Sequence, residues 1–320
     1  MVGAIKNISL FCSGTEGREA GKDMPPDRIL SIAVAWGVML LVSDLPAAAC
    51  KAFSGQIPDW LSWGKVGLLG AAVAACLIWK KISSLKPYAL VLFVLFLALR
   101  LSDLAAGTAR WQGCFGGENV SFTRGYVGLY LLDTAVALAV ITALLLLKRR
   151  RSECFLVKGD LAAPIGPVRW LGIRQGESWR TFGWIFAFVC AAAVAVPILL
   201  LTRFASGAFG RAVTLVPAVL AFAAINAFNE EVYFRASFLS TLKDVIGGRQ
   251  AVLIAAVFFG MSHYLYGSPN GIVGFLMTAF LGWLLGKCML ETRGLFWPWF
   301  IHFTADVIVF LSYALTWGPK

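Results

Sequence analysis

The chain has 320 residues, of which 59% are hydrophobic and 14% charged, with a mean hydropathy of +0.77 and a formal net charge of +11. Soluble domains hold roughly 45–50% apolar and about 25% charged residues, so polar surface is too scarce here to cover a water-soluble core. A secreted disulfide scaffold, a disordered chain and a soluble enzyme are excluded; the expected fold is all-α, a polytopic transmembrane helix bundle.

A helix crosses the hydrocarbon layer with about 20 apolar residues. Residues 1–28 carry Lys6, Arg18, Lys22 and Arg28 but no long apolar stretch, so a cytoplasmic tail without a cleavable signal peptide is expected there. Apolar runs follow at 29–45, 60–79, 87–104, 126–147, 181–201, 212–242, 251–264, 271–290 and 295–317. The second run contains Lys65 and the seventh is short, so eight or nine spans are expected, with the chemistry buried among the C-terminal ones.

Basic residues cluster between these runs. Lys80, Lys81 and Lys86 follow the second, and Lys148 to Arg151 open a segment that also holds Lys158, Arg169, Arg174 and Arg180. Lys243 and Arg249 follow the sixth run, and Lys287 and Arg293 border the eighth. A cytoplasmic N-terminus brings all four clusters to the cytoplasmic side, with only Arg203 and Arg211 departing from the pattern. The excess positive charge is therefore read as topology, and no nucleic-acid partner is expected.

Residues 148–180 are rich in Gly and Pro and too polar to span, which predicts a basic cytoplasmic linker with an interfacial piece. It separates a four-helix region, 29–147, of no evident role from a C-terminal region, 181–320. The seven cysteines form no CxxC pair, and no internal repeat suggests an inverted-repeat transporter.

Ionisable groups inside spans are costly and mark functional positions. The sixth run contains Asn226, Glu230, Glu231 and Arg235. Glu231 and Arg235 lie one turn apart and can pair, which leaves Glu230 about 100° around the helix, on the face of Asn226. Taken alone, the pair reads as a structural ion pair. The chain has two histidines: His263 ends Phe259-Gly-Met-Ser-His263, and His302 stands one turn before Asp306. At about 1.5 Å per residue, Glu230 lies about 20 Å from Lys243 and His263 about 21 Å from Arg249. By the same rise, His302 and Asp306 lie about 14 and 20 Å from Arg293. Straight helices would thus bring these groups to one layer. Arg100, Asp103 and Asp133 find no such partners and receive no function.

Glu230-Glu231-x-x-x-Arg235, Phe259-x-x-x-His263 and His302-x-x-x-Asp306, in this order on successive helices, resemble the CPBP family. That family groups type II CAAX prenyl endopeptidases with bacterial intramembrane proteases and bacteriocin-immunity proteins. The resemblance spans about residues 181–317 and implies a CAAX-protease-like intramembrane endopeptidase in a membrane such as the bacterial inner membrane. Its substrate would be a membrane protein, a membrane peptide or a lipid-anchored tail. The implied catalytic set is Glu230 activating water together with His263, while His302, oriented by Asp306, stabilises the oxyanion. Glu231, Arg235, Asn226 and Phe259 support them. No cofactor is firmly implied; zinc on Glu230, His263 and His302 is the metal-dependent form, and a glutamate mechanism without metal is the other. Two rival classes are a non-catalytic binding or immunity protein, indifferent to Glu230→Ala, and a proton-coupled transporter, which needs a path to both membrane faces.

Overall fold

The computed structural model describes residues 25–117, 120–201, 207–266 and 270–317. Most of the tail expected at 1–28 lies outside the described residues, as do Arg203 and Cys12. Among the described residues the regular structure is helical, with two isolated β-bridges. Helix α1 (Pro26–Val42) breaks at Ser43–Asp44 and continues at a 48° bend as α2 (Leu45–Ser54). Pro46 fits the start of α2, where its missing N–H removes no helical bond. Next come α3 (Trp60–Ile78), a short 3-10 turn, α4 (Lys86–Ala106), the brief α5 (Ala109–Phe115) and α6 (Phe122–Leu146). The C-terminal region adds α7 (Trp179–Leu201), α8 (Ala208–Glu231), α9 (Ser237–Ile246), α10 (Gly248–Tyr266), α11 (Gly271–Thr292) and α12 (Phe296–Thr316).

Among the described residues seven stretches are long and apolar enough to cross a membrane, or eight if the bent α1–α2 pair is one span. One of them, Ala212–Ile246, is nearly the whole of α8 and α9, joined by a single π-helical turn, Val232–Ala236. Such wide turns interrupt the regular ladder and recur at functional positions; here the turn follows directly on Glu230 and Glu231. Helix α10 is longer than the apolar run that marked it, because residues 248–250 and 265–266 also wind into the helix. Outward faces are apolar, as a lipid-facing surface requires: Phe188 and Leu199 on α7 are 70% and 64% exposed.

Small residues allow close approach where the site helices meet. A Cβ at Gly260 on α10 would stand 2.8 Å from Ala279 Cβ on α11, and one at Gly282 would stand 3.0 Å from the Ala256 backbone. Without a hydrophobic drive between helices in lipid, such small-residue contacts carry much of the packing. Gly247, at φ +93°, makes the tight turn that sends α10 back along α9.

The two halves share one core. Met39, Leu69, Leu92 and Val140 from the N-terminal helices cluster with Phe238, Leu242, Ile254 and Phe258 from α9 and α10. A second cluster joins Phe122 and Tyr130 of α6 to Phe222 of α8 and Phe310 of α12. The N-terminal helices are thus a wall of the bundle that holds the chemistry-bearing segments, and not a separate body.

The segment between α6 and α7, expected as a basic cytoplasmic linker with an interfacial piece, is docked against the ends of α11 and α12. Ile165, Val168 and Ile173 are buried with Leu284 and Trp297 of α11 and α12. Glu291, at the end of α11, accepts from Gly166 N (3.2 Å) and Trp179 Nε1 (2.8 Å) and pairs with Lys287. Leu295 N donates to Val157 O at 2.8 Å, and Asp160 N donates to Thr292 O at 2.8 Å. Gly159, at φ +82°, approaches Gly294 so closely that any Cβ there would meet backbone. Gly159, Gly172 and Gly176, which read as helix breakers, take positive φ where the chain turns back on itself.

Candidate active site

Glu230 and Glu231 close α8, His302 and Asp306 sit one turn apart on α12, and Arg235 lies in the π-helical turn. Extensive packing of α8 against α12 brings these groups together. Glu231 and Arg235 are both fully buried, 3.1 Å apart. A buried charge left unpaired is strongly destabilising, so each requires the other. The arginine has a second support: its Cζ lies 3.9 Å from the centroid of the Phe259 ring. A desolvated cation over an aromatic face gains about 2 kcal/mol.

His302 is buried between the carboxylates. Its Nδ1 lies 2.9 Å from Glu231 Oε1, and its Nε2 faces Glu230 Oε2 at 3.5 Å and Asp306 Oδ1 at 3.7 Å. Nδ1–H donates to Glu231, which fixes the ring and aims Nε2 at the other two acids. Glu231 therefore grips the imidazole at Nδ1, while Asp306, to which the resemblance assigned the orienting role, lies 3.7 Å from Nε2.

Asn226 ties the acids to one another. Its Nδ2 donates to Asp306 Oδ2 at 2.9 Å and to Glu230 Oε1 at 3.3 Å, while its Oδ1 accepts from Tyr130 OH at 3.1 Å. Tyr130 comes from α6, so the N-terminal half reaches into the cluster. This contact spans 96 positions of sequence, and no local pattern announces it.

His263 stands apart. Its Nδ1 is 3.1 Å from Phe259 O and 3.1 Å from Ser262 Oγ, both in its own turn. Bonding to a carbonyl makes Nδ1 the donor and leaves Nε2 as the acceptor of the neutral ring. Its link to the cluster is Phe259, whose ring is 4.7 Å from the His263 ring and 5.8 Å from that of His302. Among the described residues no hydrogen bond or ion pair joins His263 to Glu230 or His302, and no three His, Cys, Asp or Glu side chains are grouped to hold a metal ion. As placed, Glu230, His263 and His302 do not fit a two-His, one-carboxylate zinc site.

A cavity of about 230 Å³ opens beside Glu230. Its walls come from both halves: Ser43 and Asp44 at the α1–α2 break, Phe96 on α4, Asp133 on α6, Asn229 on α8 and Ser262 on α10. Glu230 Oε2 is buried at this wall without a hydrogen-bond partner. Asp133, which had no counterpart in the sequence, thus faces the same space as Glu230. Asp44 is paired with Lys65 at 3.0 Å, which accounts for the charge inside the second apolar run.

The family model described as type II CAAX prenyl endopeptidase Rce1-like matches residues 212–308, the stretch that carries all of Asn226, Glu230, Glu231, Arg235, Phe259, His263, His302 and Asp306. No curated protein and no solved structure matches the chain. The matched stretch supports a membrane protease at that general level, and the run of apolar helices makes the chain an integral multi-pass membrane protein.

Proposed function

We propose that the protein is an intramembrane endopeptidase that uses Glu230 to activate water against a peptide bond held in the cavity between its two halves. The observation that carries this reading is Glu230 Oε2: a carboxylate oxygen buried at a cavity wall with no hydrogen-bond partner, backed by groups that fix its neighbours. A general base needs a free lone pair within reach of water; Glu231 Oε2 also lacks a hydrogen-bond partner, but Glu231 does not line the cavity and Glu230 does. Asp306 accepts from Asn226, and Glu231 holds His302 and Arg235.

In the proposed reaction Glu230 takes a proton from a water in the cavity as the oxygen adds to the scissile carbonyl. His302, held at Nδ1 by Glu231 and flanked at Nε2 by Asp306, donates toward the developing oxyanion. Glu230 then passes its proton to the departing nitrogen as the carbon–nitrogen bond breaks, leaving a new carboxyl and a new amine. His263, with Nε2 as acceptor, orients the water from the α10 side. Arg235 and Phe259 keep Glu231 in place. The substrate is a membrane-embedded or lipid-anchored protein or peptide, taken from the bilayer of a bacterial inner membrane. The N-terminus lies on the cytoplasmic side, the arrangement that gathers the four basic clusters there.

The reading is tested by comparing the amino and carboxyl termini of membrane and secreted proteins in cells expressing the native chain or Glu230→Gln at equal abundance. Termini present with the native chain and lost with Glu230→Gln are expected. Identical termini, with both proteins folded, would favour a binding or immunity protein on the same fold.

A further inference from the structure

The cavity beside Glu230 is lined by acceptors. Asp44, Asp133, Glu230 and the Asn229 carboxamide contribute oxygen, and no lining residue is a cation. The hydroxyls on its wall are already committed: Ser43 Oγ donates to Leu40 O at 2.8 Å, Ser262 Oγ to Phe259 O at 2.8 Å, and Tyr233 OH to Asp133 O. Neighbouring cations are committed as well. Lys65 is held by Asp44 at 3.0 Å, and Arg100, next in sequence to the lining residue Leu99, pairs with Asp103 at 3.7 Å and lies over Trp63.

An independent sign comes from Asn229. This residue is 1% exposed and lines the cavity; its Nδ2 donates to Thr134 Oγ1 at 3.3 Å, while its Oδ1 is buried with no partner. A buried acceptor left unmade costs about 1–3 kcal/mol, and such a group persists where a ligand completes it. The charge balance asks for the same kind of ligand. With all four ionised, Asp133, Glu230, Glu231 and Asp306 stand against one guanidinium and one imidazole, which leaves the layer negative even with His302 protonated. In an apolar membrane interior such an excess calls for an opposite charge.

Building on the protease reading, we propose that this cavity is a subsite for a cationic side chain, Lys or Arg, of the substrate peptide next to the bond being cleaved. Asp133 supplies the opposing charge and Asn229 Oδ1 accepts a hydrogen bond from the ammonium or guanidinium. The apolar walls, Leu95, Phe96 and Phe258 among them, pack on the methylene stem. A substrate that enters with an anionic group at this position is rejected by the same carboxylates.

Binding to the Glu230→Gln protein in nanodiscs separates this inference from the proteolysis on which it builds. Three apolar decapeptide probes differ at one central residue, Lys, Gln or Glu. The Lys probe is expected to bind at least about tenfold more tightly than the Gln probe, the ratio set by about 1.4 kcal/mol, and the Glu probe most weakly. Added Asp133→Asn should erase the preference for Lys, and Asp133→Glu should retain most of it. Equal binding of the three probes, or a preference for Glu, overturns the subsite whether or not the variants fold, because the probe series needs only Glu230→Gln. A Lys preference together with no Glu230-dependent cleavage in cells would leave the subsite standing and remove the protease reading. Glu230-dependent cleavage without the preference would do the reverse.

Discussion

His302 Nδ1 lies 2.9 Å from Glu231 Oε1, so the second carboxylate of the Glu-Glu pair grips the imidazole while the first faces the cavity. Adjacent residues thus do different work, because neighbouring side chains project about 100° apart around a helix. Glu231 points inward to Arg235 and His302, and Glu230, held at Oε1 by Asn226, lines the cavity.

Glu231 carries two buried partners, so its replacement should cost most of all in stability. Glu231→Ala leaves Arg235 buried without a counter-ion and is expected to destabilise by about 3–5 kcal/mol. Glu231→Gln keeps an acceptor for His302 and should lose less. Thermal unfolding in detergent, run beside the native chain, checks the order; equal loss for the two variants would deny the ion pair its role.

Tyr130 is the point at which the N-terminal helices enter the site. Tyr130→Phe removes the donor to Asn226 Oδ1 while keeping the ring that packs on Phe222 and Phe310. The expected stability loss is about 1 kcal/mol. Turnover of a cleaved substrate should fall through kcat, since Asn226 orients both Glu230 and Asp306. Unchanged kcat would make the contact merely structural.

The docked segment before α7 should resist reagents as well as proteases. Cys154 is fully buried there, and burial pushes its thiol above the ordinary range against the opposing pull of Arg149. A thiol so placed reacts slowly. Gly159→Ala brings a Cβ against the Thr292 carbonyl and Gly294 at a positive φ, which costs about 1–2 kcal/mol from the backbone alone. Alkylation of Cys154, followed on its own tryptic peptide, should be slow in the native chain and faster in Gly159→Ala; a rate matching exposed Cys114 in the native chain would refute the docking.

Phe259 supports the buried arginine from the other side. Phe259→Leu keeps an apolar side chain but removes the π face beneath Arg235, and a loss of about 2 kcal/mol is expected beyond that of Phe258→Leu, whose ring has no cation above it. Paired melting curves of the two variants measure the difference.

Much of this arrangement is legible along the chain. Apolar length marks the spans, and the i, i+4 spacings of Glu231–Arg235 and His302–Asp306 put each pair on one helix face. Equal depth from the basic turns brings α8, α10 and α12 to one layer. The missing parts depend on contacts between distant segments. Asp133 reads as an isolated acid because its neighbours, Glu230 and Tyr233, lie about a hundred positions on. Asn229 stands immediately before the Glu-Glu pair, and no spacing in the sequence marks its carboxamide. The π-helical turn at Val232–Ala236 leaves hydrophobic periodicity almost unchanged, and the break at Ser43–Asp44 falls within an apolar run. The Gly-rich segment before α7 reads only as a linker with an interfacial piece because its partners, Thr292, Gly294 and Leu295, lie far along the sequence.

The central claim is that Glu230 directs water onto a peptide bond, and oxygen-18 tests it most directly. Purified protein in nanodiscs is mixed with a membrane-protein extract in oxygen-18 water, and newly formed carboxyl termini are identified by mass. The native chain should generate termini carrying one solvent oxygen, and Glu230→Gln should lower their yield by about 10²-fold or more, the scale of a lost general base. Labelled termini formed equally by the native and Glu230→Gln proteins, or none formed by either while both remain folded, would contradict it.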